Sequence, residues 1–127
     1  MNPFEEITYK IINNKKGNIY KFASEDKFPD FIKGDIYFSE VNPLTFKDWR
    51  RHTKLNCIIG VVYGEVKIKI KPNLNSDLFT ETLLLKKSKL FKINAGCWYC
   101  FENEKNNPSL LFAMLNGKHN DNEVERL

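Results

Sequence analysis

The chain has 127 residues, of which 42% are hydrophobic and 28% charged, enough for one domain with a core of its own and too few for two. Twenty Lys and Arg against sixteen Asp and Glu leave a net charge of +4. The basic residues are scattered from Lys10 to Arg126, which excludes nucleic-acid binding by a concentrated basic face. The longest apolar run, 57–62, is too short to cross a bilayer, and the opening MNPFEEITYK has no apolar block of a secretory signal. A cytoplasmic protein that inserts in no membrane is expected.

Breaks rich in Asn, Lys, Gly and Pro separate short segments rich in β-branched and aromatic residues. In chain order, strands are expected over 7–12, 18–22, 35–41, 55–62, 65–71, 80–85, 90–93, 98–101 and 110–115. Short strands at this spacing predict an all-β sandwich or barrel. The stretch 24–31 has room for one helical turn. In 35–41, Ile36, Phe38 and Val41 supply the apolar positions, and Tyr37, Ser39 and Glu40 offer polar tips. In 65–71, Val66, Ile68 and Ile70 alternate strictly with Lys67, Lys69 and Lys71, so one face is core and the other carries three ammonium groups. Those lysines form a solvated face or guarded edge, or else a wall for a phosphorylated ligand. The tail 120–127 is polar and is expected to wrap the surface or a partner.

The three cysteines do not make a disulfide framework. Cys97 and Cys100 form a C-x-x-C in NAGCWYCF, a turn running into a strand. A redox motif would need the start of a helix, so structural thiols are expected.

Three stretches together resemble the nucleotide-sugar branch of the cupins, the dTDP-4-dehydrorhamnose 3,5-epimerase-like proteins and dTDP-sugar 3,4-ketoisomerases. YFSEVNPLTFKDWRRH resembles that branch's YFS-x-V-x-P-G-x-x-K-x-W-H-x-H frame, NAGCWYCF its P-P-G-x-W-x-G-F turn, and HNDNEVERL its D-P-x-E-x-x-R-L tail. The resemblance implies a jelly-roll cupin barrel (a double-stranded β-helix) over 1–127 as a single domain, a homodimer, and a nucleotide-sugar ligand. It implies epimerisation or isomerisation in surface-polysaccharide sugar synthesis, by proton transfer beside a keto group.

The general cupin metal motifs fall on Arg50, His52 and Cys57, then on Tyr99. Only His52 is a metal ligand of the pattern, and Arg50 repels a cation, so no metal and no cofactor is expected. The family's base falls on Arg50, which cannot act as a base near neutral pH. Its late-strand tyrosine aligns with Phe112. Arg50 and His52, two apart on a strand, share a face. The guanidinium there favours a neutral imidazole. His52 and Tyr99 are therefore the expected proton carriers, and Arg50, Lys47, Tyr37, Glu40 and Lys69 the substrate-binding residues. Trp49 and Trp98 are expected on the opposite face, His119 in solvent, and Glu123 paired with Arg126 or a second subunit. The other readings are a non-catalytic sugar- or nucleotide-binding cupin whose base has become Arg50, and a structural subunit with a filled barrel.

Overall fold

The computed structural model describes residues 2–24, 26–31 and 33–127. In chain order the strands are β1 (Phe4–Thr8), β2 (Lys10–Ile12), β3 (Ile19–Lys21), β4 (Ile36–Val41), β5 (Thr45–His52) and β6 (Cys57–Tyr63). They continue as β7 (Val66–Lys71), β8 (Phe79–Leu83), β9 (Lys89–Ile93), β10 (Trp98–Asn103), β11 (Ser109–Leu115) and β12 (Val124–Arg126). One antiparallel sheet runs β1-β9-β6-β11-β4 and a second β12-β5-β10-β7-β8, with β2 and β3 forming a separate ribbon. This is the all-β sandwich expected from the strand spacing, in the jelly-roll form that the resemblance implies.

Alternation explains how the sheets meet. Val66, Ile68 and Ile70 of β7 are fully buried, while Lys67, Lys69 and Lys71 point outward. Cys57, Ile59 and Val61 of β6 join them in the inner core, with Phe91, Ile93, Leu111 and Leu115 from the facing sheet. The first sheet is also covered on its outer side. Ile58, Leu90, Phe112 and Met114 pack there beneath Tyr9, Phe28 and Phe31. A central strand buried on both faces reads as one apolar run, which is the pattern of CIIGVVY.

Three expectations change. The segment 7–12 is two strands, broken at the buried Tyr9, whose N–H donates to the Ser88 carbonyl at 2.9 Å. Strands β5 and β12 were absent from the expected set. In β4 the inward residues are Tyr37, Ser39 and Val41; Ile36 and Phe38 face outward, 58% and 70% exposed. Glu25, within the turn expected over 24–31, lies outside the described residues. Beyond it, Lys27 and Phe28 donate backbone N–H bonds to the carbonyl of Ser24, the residue before it.

The corner between β6 and β7 carries the chain from one sheet to the other. Gly64 holds it at φ 85°. The buried Ser109 clasps the next residue, its hydroxyl accepting from Glu65 N–H at 3.1 Å and donating to the Glu65 carbonyl at 3.2 Å.

Candidate active site

A cavity of about 330 Å³ opens at the end of the sandwich where β4, β5, β10 and β12 converge. Its chemistry comes from Tyr37, Arg50, His52, Tyr99, His119 and Arg126. Strand pairing places Arg50 between Tyr99 of β10 and Arg126 of β12, so all three side chains share one face.

Irregularity in β5 changes which residues reach inward. Tyr99 pairs with Arg50 but Phe101 pairs with Lys47, so two steps on β10 match three on β5. This is a β-bulge, and it reverses the alternation across Asp48 and Trp49. Lys47 and Arg50 thereby face the same side despite their odd spacing. Lys47 crosses to the other sheet and donates to the Ser39 hydroxyl at 2.8 Å. Burial pushes its ammonium pKa down, and Arg50 adds repulsion.

His52 is 5% exposed. Its carbonyl accepts from Gly96 N–H at 2.7 Å, which fixes the backbone. Its Nδ1 is hydrogen-bonded to the buried Glu123 carboxylate. The other carboxylate oxygen accepts from the N–H groups of Lys54 and Leu55, both at 3.2 Å. Glu123 also accepts, through its backbone carbonyl, from Thr53 N–H at 2.7 Å and Thr53 Oγ at 2.8 Å. A carboxylate acceptor at Nδ1 assigns the proton to that nitrogen and leaves the Nε2 lone pair for the cavity.

Burial pushes the Glu123 carboxyl pKa up, but the hydrogen bonds from His52, Lys54 and Leu55 outweigh it, and the net direction is down. A carboxyl depressed in the folded state stabilises the protein above its ordinary value of 4.5, and that contribution fades as pH falls through the lowered value. Urea midpoints measured against pH are expected to show wild type losing more stability than Glu123→Gln on acidification. Parallel curves would refute the linkage.

Tyr99 is 3% exposed, with its ring stacked at 6.3 Å from that of His52. Burial, with smaller contributions from Cys57 and Tyr37, raises its hydroxyl well above the ordinary tyrosine range, against an opposing pull from Arg50. Tyr99 therefore keeps its proton at neutral pH. Tyr37 stands at the mouth and is raised too, chiefly by burial. His119 is exposed, as expected, and it also borders the cavity. It lines the cavity edge-on to His52 at 6.4 Å, with its N–H on Asp35 at 2.8 Å.

Other expected site residues lie elsewhere. Glu40 alternates to the exposed face of β4 and lines no part of this cavity. Lys69 is on the outer face of β7, 3.2 Å from Glu102 and 5.7 Å above the Phe46 ring. Both are corrected by strand parity. Phe112 packs on the outer face of the first sheet, 4.3 Å from Phe22, so its missing hydroxyl has no bearing on the cavity. Glu123 bonds to His52 rather than to Arg126. Trp98 does face away from Tyr99 and lies under the Arg51 guanidinium at 5.0 Å.

Cys97 belongs to the inner core, while Cys100 alternates with the inward Tyr99 and Phe101 to the other face. Burial pushes Cys97 to about 11 and Cys100 and Cys57 to about 12, so none is a thiolate at neutral pH. The cupin metal positions do not suit a cation. Arg50 brings a positive charge, the Cys57 thiol stays protonated, and Glu123 occupies Nδ1 of His52.

No family model matches the chain, and no curated protein matches it in sequence. Solved structures do. A dTDP-sugar isomerase from Desulfovibrio desulfuricans is 26% identical over 98% of this chain and 83% of its own, with a TM-score of 0.85. The 3,4-ketoisomerase QdtA of Thermoanaerobacterium thermosaccharolyticum, solved with TDP-4-keto-6-deoxyglucose, is 18% identical over 100% and 89%, with a TM-score of 0.84. The 3,5-epimerase RmlC of Legionella pneumophila, solved with dTDP-4-keto-L-rhamnose, is 13% identical over 100% and 73%, with a TM-score of 0.82.

Proposed function

This chain has the fold of the nucleotide-sugar branch of the cupins, and from that premise we propose that it is an epimerase or isomerase of nucleotide-linked keto-deoxysugars. The observation that carries the proposal is His52, buried in the cavity wall with Nδ1 held by Glu123. A base pinned in one tautomer presents Nε2 to a C–H bond beside a ketone. Arg50 stabilises the oxyanion that forms as the proton leaves. Tyr99, protonated at neutral pH, returns a proton to carbon. Tyr37 and His119 line the cavity beside them. No step needs a metal or cofactor. On the same reading the protein is a cytoplasmic homodimer that supplies surface-polysaccharide synthesis.

The test is incubation with dTDP-4-keto-6-deoxyglucose in D2O, followed by NMR. Deuterium is expected to enter a carbon beside the keto group at a rate proportional to protein concentration. The second reading is a non-catalytic sugar- or nucleotide-binding cupin, favoured by Arg50 standing where the resembled family keeps its base. It predicts ligand binding with exchange no faster than buffer.

A further inference from the structure

The chain has two histidines, and both line the cavity. They differ in depth. His52 is 5% exposed, while the side chain of His119 is 37% exposed. The rings stand edge to face with centroids 6.4 Å apart. A proton crosses a gap of that size through a single water.

Each imidazole has a carboxylate of its own, and one short turn supplies both. In the 3-10 turn Asp121–Glu123, Glu123 holds Nδ1 of His52, and Asp121 Oδ1 lies 3.1 Å from Nε2 of His119. The Asn120 side chain fixes the start of this turn by accepting from Asn122 N–H at 3.0 Å. The His119 backbone is anchored as well, through its N–H on Asp35 at 2.8 Å. Asp35 is in turn tied to the end of β11, its carbonyl accepting from Leu115 N–H at 2.8 Å. A carboxylate at one ring nitrogen leaves the other to take up and release a proton.

The proposed chemistry needs such a group. Once His52 has removed a proton from carbon and Tyr99 has returned one, His52 is an imidazolium and Tyr99 a tyrosinate. Both are buried, so neither is reset by direct contact with bulk water. The other polar groups of the cavity do not serve. Arg50 and Arg126 cannot release a proton. Burial raises Tyr37, which keeps its own at neutral pH. Asp35 has one oxygen on the His119 backbone.

Resting on the proposed function, we infer that His119 is the proton shuttle between the buried His52 and bulk water. His52 gives up the proton it took from carbon, His119 passes that proton to solvent, and one proton returns from solvent to the Tyr99 oxygen. The protein then ends each turnover with the charge it began with. Imidazole is the side chain suited to this task, because it both accepts and donates near neutral pH.

The test follows deuterium entry into dTDP-4-keto-6-deoxyglucose by NMR, in D2O at fixed pD, in a bulky amine buffer with rising amounts of free imidazole. The wild-type rate is expected not to depend on imidazole. His119→Asn is expected to be about a hundredfold slower without it. Its KM should change little, and its rate should climb in proportion to added imidazole, which does from solution what the tethered ring did. Asp121→Asn keeps the ring and loses its anchor, so it should fall between. Circular dichroism establishes folding, and His119→Gln stands in if the asparagine variant does not fold. A folded His119 variant at the wild-type rate overturns the shuttle. So does a slow variant that imidazole fails to rescue, or one whose loss lies in KM. In each of those outcomes wild-type exchange still stands and the proposed function survives. Wild type that exchanges no deuterium overturns the proposed function, and the shuttle with it.

Discussion

Glu123→Ala is expected to slow deuterium exchange into the substrate by about two to four orders of magnitude, the usual loss when a general base or its orienting carboxylate is removed. The side chain does three things at once. It accepts from Nδ1 of His52 and from the N–H groups of Lys54 and Leu55. Alanine removes the acceptor from all three, of which the His52 donor is buried and the two backbone donors are partly buried. A buried donor left without its acceptor costs about 1–3 kcal/mol, so the urea midpoint is expected to fall as well. Two further variants separate chemistry from folding. His52→Ala removes the base yet leaves Glu123 on its two backbone donors, so it should reach the same low rate with a smaller loss of stability. Glu123→Gln keeps the shape without the charge and should fall between. Exchange at the wild-type rate in folded Glu123→Ala protein would end the case for an oriented base.

Gly64→Ala is expected to be among the most destabilising single-methyl changes in the chain. The φ of 85° lies in the left-handed region, where a Cβ costs about 1–2 kcal/mol. A Cβ built there would also lie 2.2 Å from the Ser109 hydroxyl and 2.8 Å from the Ser109 Cα, and only the first can move aside. Overpacking of this kind adds about 1–3 kcal/mol. Together these predict a loss of about 2–5 kcal/mol in urea unfolding. Ser109→Ala in the Gly64→Ala background relieves part of the clash and should recover some of it. A Gly64→Ala protein as stable as wild type would show that this corner can open without cost.

Strict alternation made β7 legible in the sequence, and the apolar run made β6 legible. Strand β5 escaped because TFKDWRRH carries charges on both faces and a bulge breaks its period of two. The same bulge brings Lys47 inward beside Arg50, which no counting of even spacings would find. Strand β12 is three residues, VER, and its pairing with β5 is invisible without the fold. The motif frame located Arg50, His52 and Tyr99, and the structure gathers them with Tyr37 at one cavity. Glu123 was expected to pair with Arg126, by helical spacing, or with a second subunit. Its real partner lies 71 residues away. Glu40 and Lys69 failed through parity, a property of the sheets rather than of charge.

That separation of 71 residues also sets a timetable. Residues 52 and 123 are far apart in the sequence, and the first sheet likewise joins Phe4 to Ile93. A fold built from such distant pairings must close large loops before those contacts reward it, which slows its search for the native state. During folding, β5 and β10 can pair before Glu123 docks, leaving His52 without the carboxylate that orients it. A folding chain can therefore acquire most of its sandwich while still inert, and becomes competent only when β12 docks on β5.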